Sequence, residues 1–267
     1  MKSFSISLFC LLLLTGSCTE EPTTDYAEET VESGGKSKES FDARAKREIM
    51  AALAIPVNEK FSLRIYREYL NADTILDAII TVNRLEYAMN EAIRNNREAK
   101  AAELGFTGNY NYLFYYDGEL DKISNPIFAP SSPGRELDIE FKSIVAPTRK
   151  DIIVGYRIRN SGWKSYFSVF NDHDLMMVFQ WKAFDFAGED HPEALVHSYE
   201  ENPQQVPMDI AIYTSEIDSY TKNIGDVYKY VPSITKKKEL KFKFFLDPVM
   251  KKYRLYPEFA KNLPQKK

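Results

Sequence analysis

From Asn109 onward the chain is a succession of aromatic and β-branched runs cut by turn residues, and this spacing restricts the fold more than any other feature. Asn109 to Tyr116 ends at Asp117-Gly118, a pair with easy access to positive φ and so suited to a hairpin. Leu137 to Ile144 and Asp151 to Arg159 read as strands. Asn160-Ser161-Gly162 then reads as the turn into Trp163 to Phe170, and Asn171-Asp172-His173-Asp174 as the turn into Leu175 to Phe184. Runs joined by such short turns pair with their neighbours, so an antiparallel meander is predicted. Weaker signals follow Gly188: a short helix at 193 to 199, a strand at Met208 to Tyr213 and a helical turn near 215 to 222. In Glu239 to Leu246 the side chains of Leu240, Phe242, Phe244 and Leu246 share one face, with Lys241 and Lys243 opposite. Lysines in that position suit an edge strand, which they protect from pairing with another molecule.

The stretch before Asn109 supplies the helices. Ser40 caps a predicted helix over Phe41 to Leu53, which Pro56 stops; Leu85 to Leu104 reads as a second helix, with Gly105 at its C-terminal cap. Between them, Phe61 to Tyr66 alternates like a half-buried strand and Ala78 to Val82 reads as a fully buried one. The predicted fold is α+β, mainly antiparallel β-sheet with two packing helices, as one domain over residues 41 to 267. Its form is expected to be a meander that is sandwich-like or an incomplete propeller. The chain's 17 Tyr and 17 Phe are enough for a substantial core.

Residues 1 to 17 differ in kind. Lys2, an apolar run from Phe4 to Leu14 and the small residues Thr15, Gly16 and Ser17 follow the order of a secretory signal. This eleven-residue stretch falls well short of the ~20 residues that cross a hydrocarbon core. Thr15-Gly16-Ser17-Cys18 resembles the lipobox of bacterial lipoproteins, with Thr15 where that family has an aliphatic residue. The resemblance implies cleavage before Cys18, a lipid on its thiol and tethering to a membrane. Ordinary secretion with cleavage after Ser17 is the alternative.

Cys10 and Cys18 are the two cysteines, so the chain beyond Cys18 has no thiol, which excludes disulfides, thiolate metal sites and cysteine nucleophiles there. Residues 18 to 40 read as the lipidated cysteine and a disordered acidic tether, with seven acidic residues and two lysines over 19 to 40. The acidic Thr19-Glu20-Glu21 resembles a signal that directs some lipoproteins outward, and a solvated spacer explains it equally. Residues 235 to 267 carry eleven Lys or Arg against three acids. No arginine-rich helix or zinc spacing accompanies them, so nucleic acid is not an expected partner.

Tyr69-Leu70-Asn71-Ala72-Asp73-Thr74-Ile75-Leu76-Asp77, running into Ala78-Ile79-Ile80-Thr81-Val82, resembles the FG-GAP or VCBS repeat, whose Asp-rich loop binds calcium. That resemblance implies oxygen ligands at Asn71, Asp73 and Asp77 for a cation that takes six to eight oxygens. Tyr69, Ala72 and Thr74 depart from the repeat, and a metal-free turn held by Asx hydrogen bonds is the other reading. A weaker echo is Arg149-Lys150-Asp151-Ile152-Ile153-Val154. No other cofactor is implied. His191 and His197 match no compact metal spacing and read as surface loop residues, while turn chemistry accounts for His173. Tyr110 and Tyr112, with Trp163 and Trp181 on later strands, are the candidate binding surface, with burial in a core as the plain alternative. The expected function is a non-enzymatic binding or assembly component of the cell envelope, for a protein or glycan. It is expected to be lipid-anchored to an outer membrane on its periplasmic or surface face. The alternative is a hydrolase using carboxylates from separate strands.

Overall fold

The computed structural model describes residues 39–104, 108–186, 192–217, 230, 232–234 and 237–263. The described residues from Glu39 onward belong to one compact unit. The lipobox, Cys18, the tether up to Lys38, Gly105, His191 and most of the helical turn expected near 215 to 222 fall outside the described residues.

The fold is mainly antiparallel β-sheet with packing helices. Helix α1 (Phe41–Ala52) starts at Ser40, whose hydroxyl accepts from the Ala43 amide at 3.3 Å, and buries Ala45 and Ile49. It covers one face of a first sheet, against Ile80 and Val82 of β2 (Asp77–Asn83) and Tyr112 and Phe114 of β3 (Asn111–Asp117). That sheet is completed by β1 (Ser62–Glu68), β4 (Lys122–Ile123) and β5 (Ile127–Ala129). The second sheet is the predicted meander: β6 (Asp138–Lys142), β7 (Asp151–Ile158), β8 (Ser161–Phe170), β9 (Asp174–Asp185), β10 (Glu193–Asn202), β11 (Gln205–Ser215), β12 (Leu240–Asp247) and β13 (Lys252–Leu255). Each strand pairs with the next in sequence.

The two sheets pack face to face. Leu70, Ile79, Leu113 and Tyr115 of the first meet Ile152, Val154, Phe167 and Val169 of the second. The other face of the second sheet curls on itself around Ile153, Tyr166, Phe179, Leu195, Ile212, Phe242 and Phe244. Strand β13 returns to lie over β9, with the Tyr253 and Phe179 rings 5.8 Å apart, while β6 and β13 remain edges.

Several sequence expectations need correction. The stretch 193 to 199 is strand β10, not a helix. Ala194 packs toward Phe186 and Ile217 while Leu195 packs into the curled interior, so both faces are covered and no alternation shows. The helix expected over 85 to 104 is two: α2 (Leu85–Arg94) and α3 (Glu98–Leu104), broken where Asn96 takes φ 52°. Strand β12 is not an edge, since β13 pairs outside it. The β7–β8 turn is Arg159-Asn160, with Arg159 at φ 52°, and Gly162 lies within the strand. Gly118 is needed for space and not for positive φ, because a Cβ there would sit 2.4 Å from the Leu76 carbonyl oxygen.

A meander places alternate turns at one end. The β8–β9, β10–β11 and β12–β13 turns share what is here called the loop end. The β1–β2 loop and the β3–β4 turn join them, because Asn71 Nδ2 donates to the Asp172 carbonyl at 2.8 Å and His173 Nδ1 meets Asp117 Oδ2 at 2.7 Å. The β7–β8 and β9–β10 connections lie at the opposite end.

Candidate functional site

At the end opposite the loop end, the concave face of the second sheet opens into a cleft of about 370 Å³, within the ~300–1,000 Å³ range of small-ligand sites. Its floor is built from two adjacent strands. Gly155 of β7 stands directly opposite Lys164 of β8, and Arg157 of β7 directly opposite Gly162 of β8. Residues opposite one another in an antiparallel pair share a face, so glycine and cation alternate across the floor and each long side chain has an empty neighbour to lie over. Gly162 also faces Phe184 across the β8–β9 pair, and a Cβ on it would fall 2.1 Å from the Phe184 ring. Gly155 sits under Asp138, where a Cβ would lie 3.2 Å from the Asp138 Cβ. These two glycines therefore serve close approach of side chains to backbone.

The walls carry charge of both signs. Arg157 is buried; its guanidinium lies 4.8 Å from the Phe184 ring centre and donates from Nε to the Arg159 carbonyl at 3.1 Å. Lys164 is partly exposed, and its ammonium lies 3.9 Å from Glu140, a weak pairing. Arg135 and Asp138 stand exposed at the rim. Glu136 is engaged on its own side, accepting from the Ser62 hydroxyl at 2.6 Å and pairing with Arg64.

His197 closes one side. It lies on β10, not on a surface loop, and both ring nitrogens are occupied: Nε2 is 2.8 Å from the Lys182 carbonyl and Nδ1 is 2.7 Å from the Tyr166 hydroxyl. A carbonyl only accepts, so Nε2 carries the hydrogen and Tyr166 donates to Nδ1. Burial pushes the His197 pKa down to about 4, and the Lys164 charge acts in the same direction. The ring is neutral near pH 7 and fixed in one tautomer. With its hydrogen bonds internally satisfied, it packs the wall, beside the partly exposed Lys164 ammonium.

The residues singled out from sequence fall elsewhere, with one exception. Trp163 borders the cleft. Trp181 packs among Phe179, Phe242 and Phe244. Tyr112 is buried under α1 and donates to the Asn109 carbonyl at 2.6 Å, and Tyr110 is buried with its hydroxyl 2.6 Å from Glu91. Gly155, Arg157 and Lys164 are not among the residues singled out, and Gly162 is expected only as a turn residue. Their signal in the sequence is a glycine inside one strand pattern and a glycine at the start of the next, each followed two residues later by a cation.

Asn71, Asp73 and Asp77 lie at the loop end. The Asn71 amide donates to Asp73 Oδ2 at 2.8 Å, and Asp73 Oδ1 accepts from the Ile75 amide at 2.7 Å. Asp77 Oδ2 accepts from the Leu70 amide at 3.3 Å and its Oδ1 from Gly118 at 2.9 Å. Burial raises the Asp77 pKa above its usual value, with Asp73 and Asp117 adding to the shift. The second echo uses the same device: Asp151 Oδ2 accepts from the amides of Ile144 and Val145, both at 2.7 Å. In each case an aspartate at the head of a buried strand captures the amide seven residues upstream. Among the described residues no group of three or more His, Cys, Asp or Glu is arranged to hold a metal ion.

Comparison with protein-family models, with curated proteins and with solved structures finds no match to this chain.

Proposed function

We propose that this chain is a lipid-anchored protein of the bacterial cell envelope, tethered through Cys18, that binds an acidic glycan in the cleft of the second sheet without transforming it. The observation that carries the reading is the alternation of Gly155, Lys164, Arg157 and Gly162 across the cleft floor. It sets the Lys164 ammonium and a ring face, Phe184, around a space of about 370 Å³, with Arg157 held in the floor by the Arg159 and Tyr230 carbonyls. Sugar rings stack on aromatic faces, and carboxylates on the sugar pair with lysine and arginine. His197 supports binding over chemistry, since both its nitrogens are held by protein groups.

A glycan array probed with the mature chain tests the reading. Uronic-acid oligosaccharides are expected to be retained over neutral analogues, and Lys164→Ala is expected to weaken retention about tenfold, the effect of losing one charged contact of about 1.4 kcal/mol. Equal retention of neutral and acidic sugars, unaffected by Lys164→Ala, would contradict it. Glycoside hydrolysis is the second reading, because Glu136 and Asp138 border the same cleft. Release of reducing ends from a retained oligosaccharide, abolished by Asp138→Asn, would favour it.

A further inference from the structure

We infer that the loop end of the folded unit rests on a lipid bilayer, so that the cleft at the other end faces away from the membrane; this rests on the lipid anchor proposed for Cys18. Single exposed apolar side chains are ordinary on a protein surface, and what matters is where they gather. Among the described residues fourteen large hydrophobic side chains are exposed, and eight of them stand on the connections or strand ends of the loop end. They come from four separate connections: Ile75 and Leu76 from β1–β2, Leu120 from β3–β4, Val206 beside the β10–β11 turn, and Val249 and Met250 from the β12–β13 turn. Val249 is 88% exposed and Val206 72% exposed. These apolar residues stand at tips where turn chemistry favours polar ones.

The start of the described chain identifies the bilayer as the surface they meet. Helix α1 begins at the loop end: Asp42 pairs with Arg67 at the close of β1, Arg44 Nη1 donates to Asp121 of the β3–β4 turn at 2.7 Å, and the Phe41 ring packs tilted against Tyr116 with centroids 4.5 Å apart. A chain anchored at Cys18 therefore joins the folded unit at the end where the apolar tips stand. The twenty residues between Cys18 and Glu39 reach at most about 70 Å when extended. That length permits contact without enforcing it, and the tips supply the attraction. Several apolar side chains entering the interface are the elements of a peripheral membrane contact, while the neighbouring Lys251 and Lys252 are engaged within the unit, over the Phe170 ring and on the Met177 carbonyl.

The test uses the full acylated chain in phosphatidylethanolamine–phosphatidylglycerol vesicles, with one added cysteine at a time bearing an environment-sensitive fluorophore. Val249→Cys and Leu120→Cys report on the loop end and Val57→Cys, 95% exposed, on the opposite end. Acylated Cys18 leaves no competing thiol. Nitroxide-bearing lipids are expected to quench the labels at 249 and 120 about twofold or more and to leave the label at 57 unquenched. Equal quenching at all three sites, or none at 249 and 120 while Cys18 carries its lipid, overturns the inference and spares the anchor. Failure of Cys18 to take up labelled fatty acid overturns both.

Discussion

His197 and His173 respond to pH in opposite directions, and each tests its local geometry. The pKa of His197 is lowered to about 4 in the fold from about 6.5 in the unfolded chain. The unfolded state binds the extra proton between those values, so the contribution is full above pH ~6.5 and is lost as pH falls toward ~4. Allowing for partial exposure of the ring, the loss is on the order of 2 kcal/mol, and urea titrations of His197→Gln are expected to lack that component. His173 is raised by its hydrogen bond to Asp117. Its contribution is full below pH ~6.5 and disappears as pH rises through the elevated folded value, so His173→Gln is expected to cost more stability at pH 6 than at pH 9. Asp151 offers a third test: Asp151→Ala leaves two buried amides without an acceptor and is expected to cost about 2–4 kcal/mol by chemical denaturation. The same residues show why an aspartate loop was ambiguous in sequence. An Asp ahead of a buried strand suits a calcium ligand and a clamp on backbone amides alike, and only the positions of Leu70, Gly118, Ile144 and Val145 display the clamp.

At the scale of elements, the meander was readable because its turns are short and their residues distinctive. Asn171 and Asp172 take φ of 50° and 64°, the conformation their side chains tolerate. Strand β10 was not readable, because a strand covered on both faces has no alternation to detect. The break between α2 and α3 was hidden by good helix formers on both sides of Asn95-Asn96. The cleft floor was half legible, since a glycine inside a strand signals close approach without naming the partner, here Phe184 over Gly162. Gly162→Ala is expected to force that ring aside at a cost of about 1–3 kcal/mol, read as a lowered melting temperature. Ile49→Ala in α1 removes a fully buried side chain from the outer face of the first sheet and is expected to cost about 2–5 kcal/mol.

At the scale of the whole molecule, the antiparallel order separates two surfaces by the length of the strands. Connections carrying apolar tips, the aspartate loop and the start of α1 gather at one end, and the cleft with its paired glycines and cations opens at the other. With the anchor proposed at Cys18, this order would turn the proposed ligand site away from the membrane. The most direct test of the ligand site is a ¹H–¹⁵N spectrum of the mature chain titrated with a uronic-acid oligosaccharide, because glycine amides are well separated in such spectra. The amide signals of Gly155 and Gly162 are predicted to move with the titration while that of Gly118, at the loop end, stays fixed. Movement of Gly118 with Gly155 and Gly162 unchanged, or no movement at all, would contradict the assignment of the cleft as the binding site.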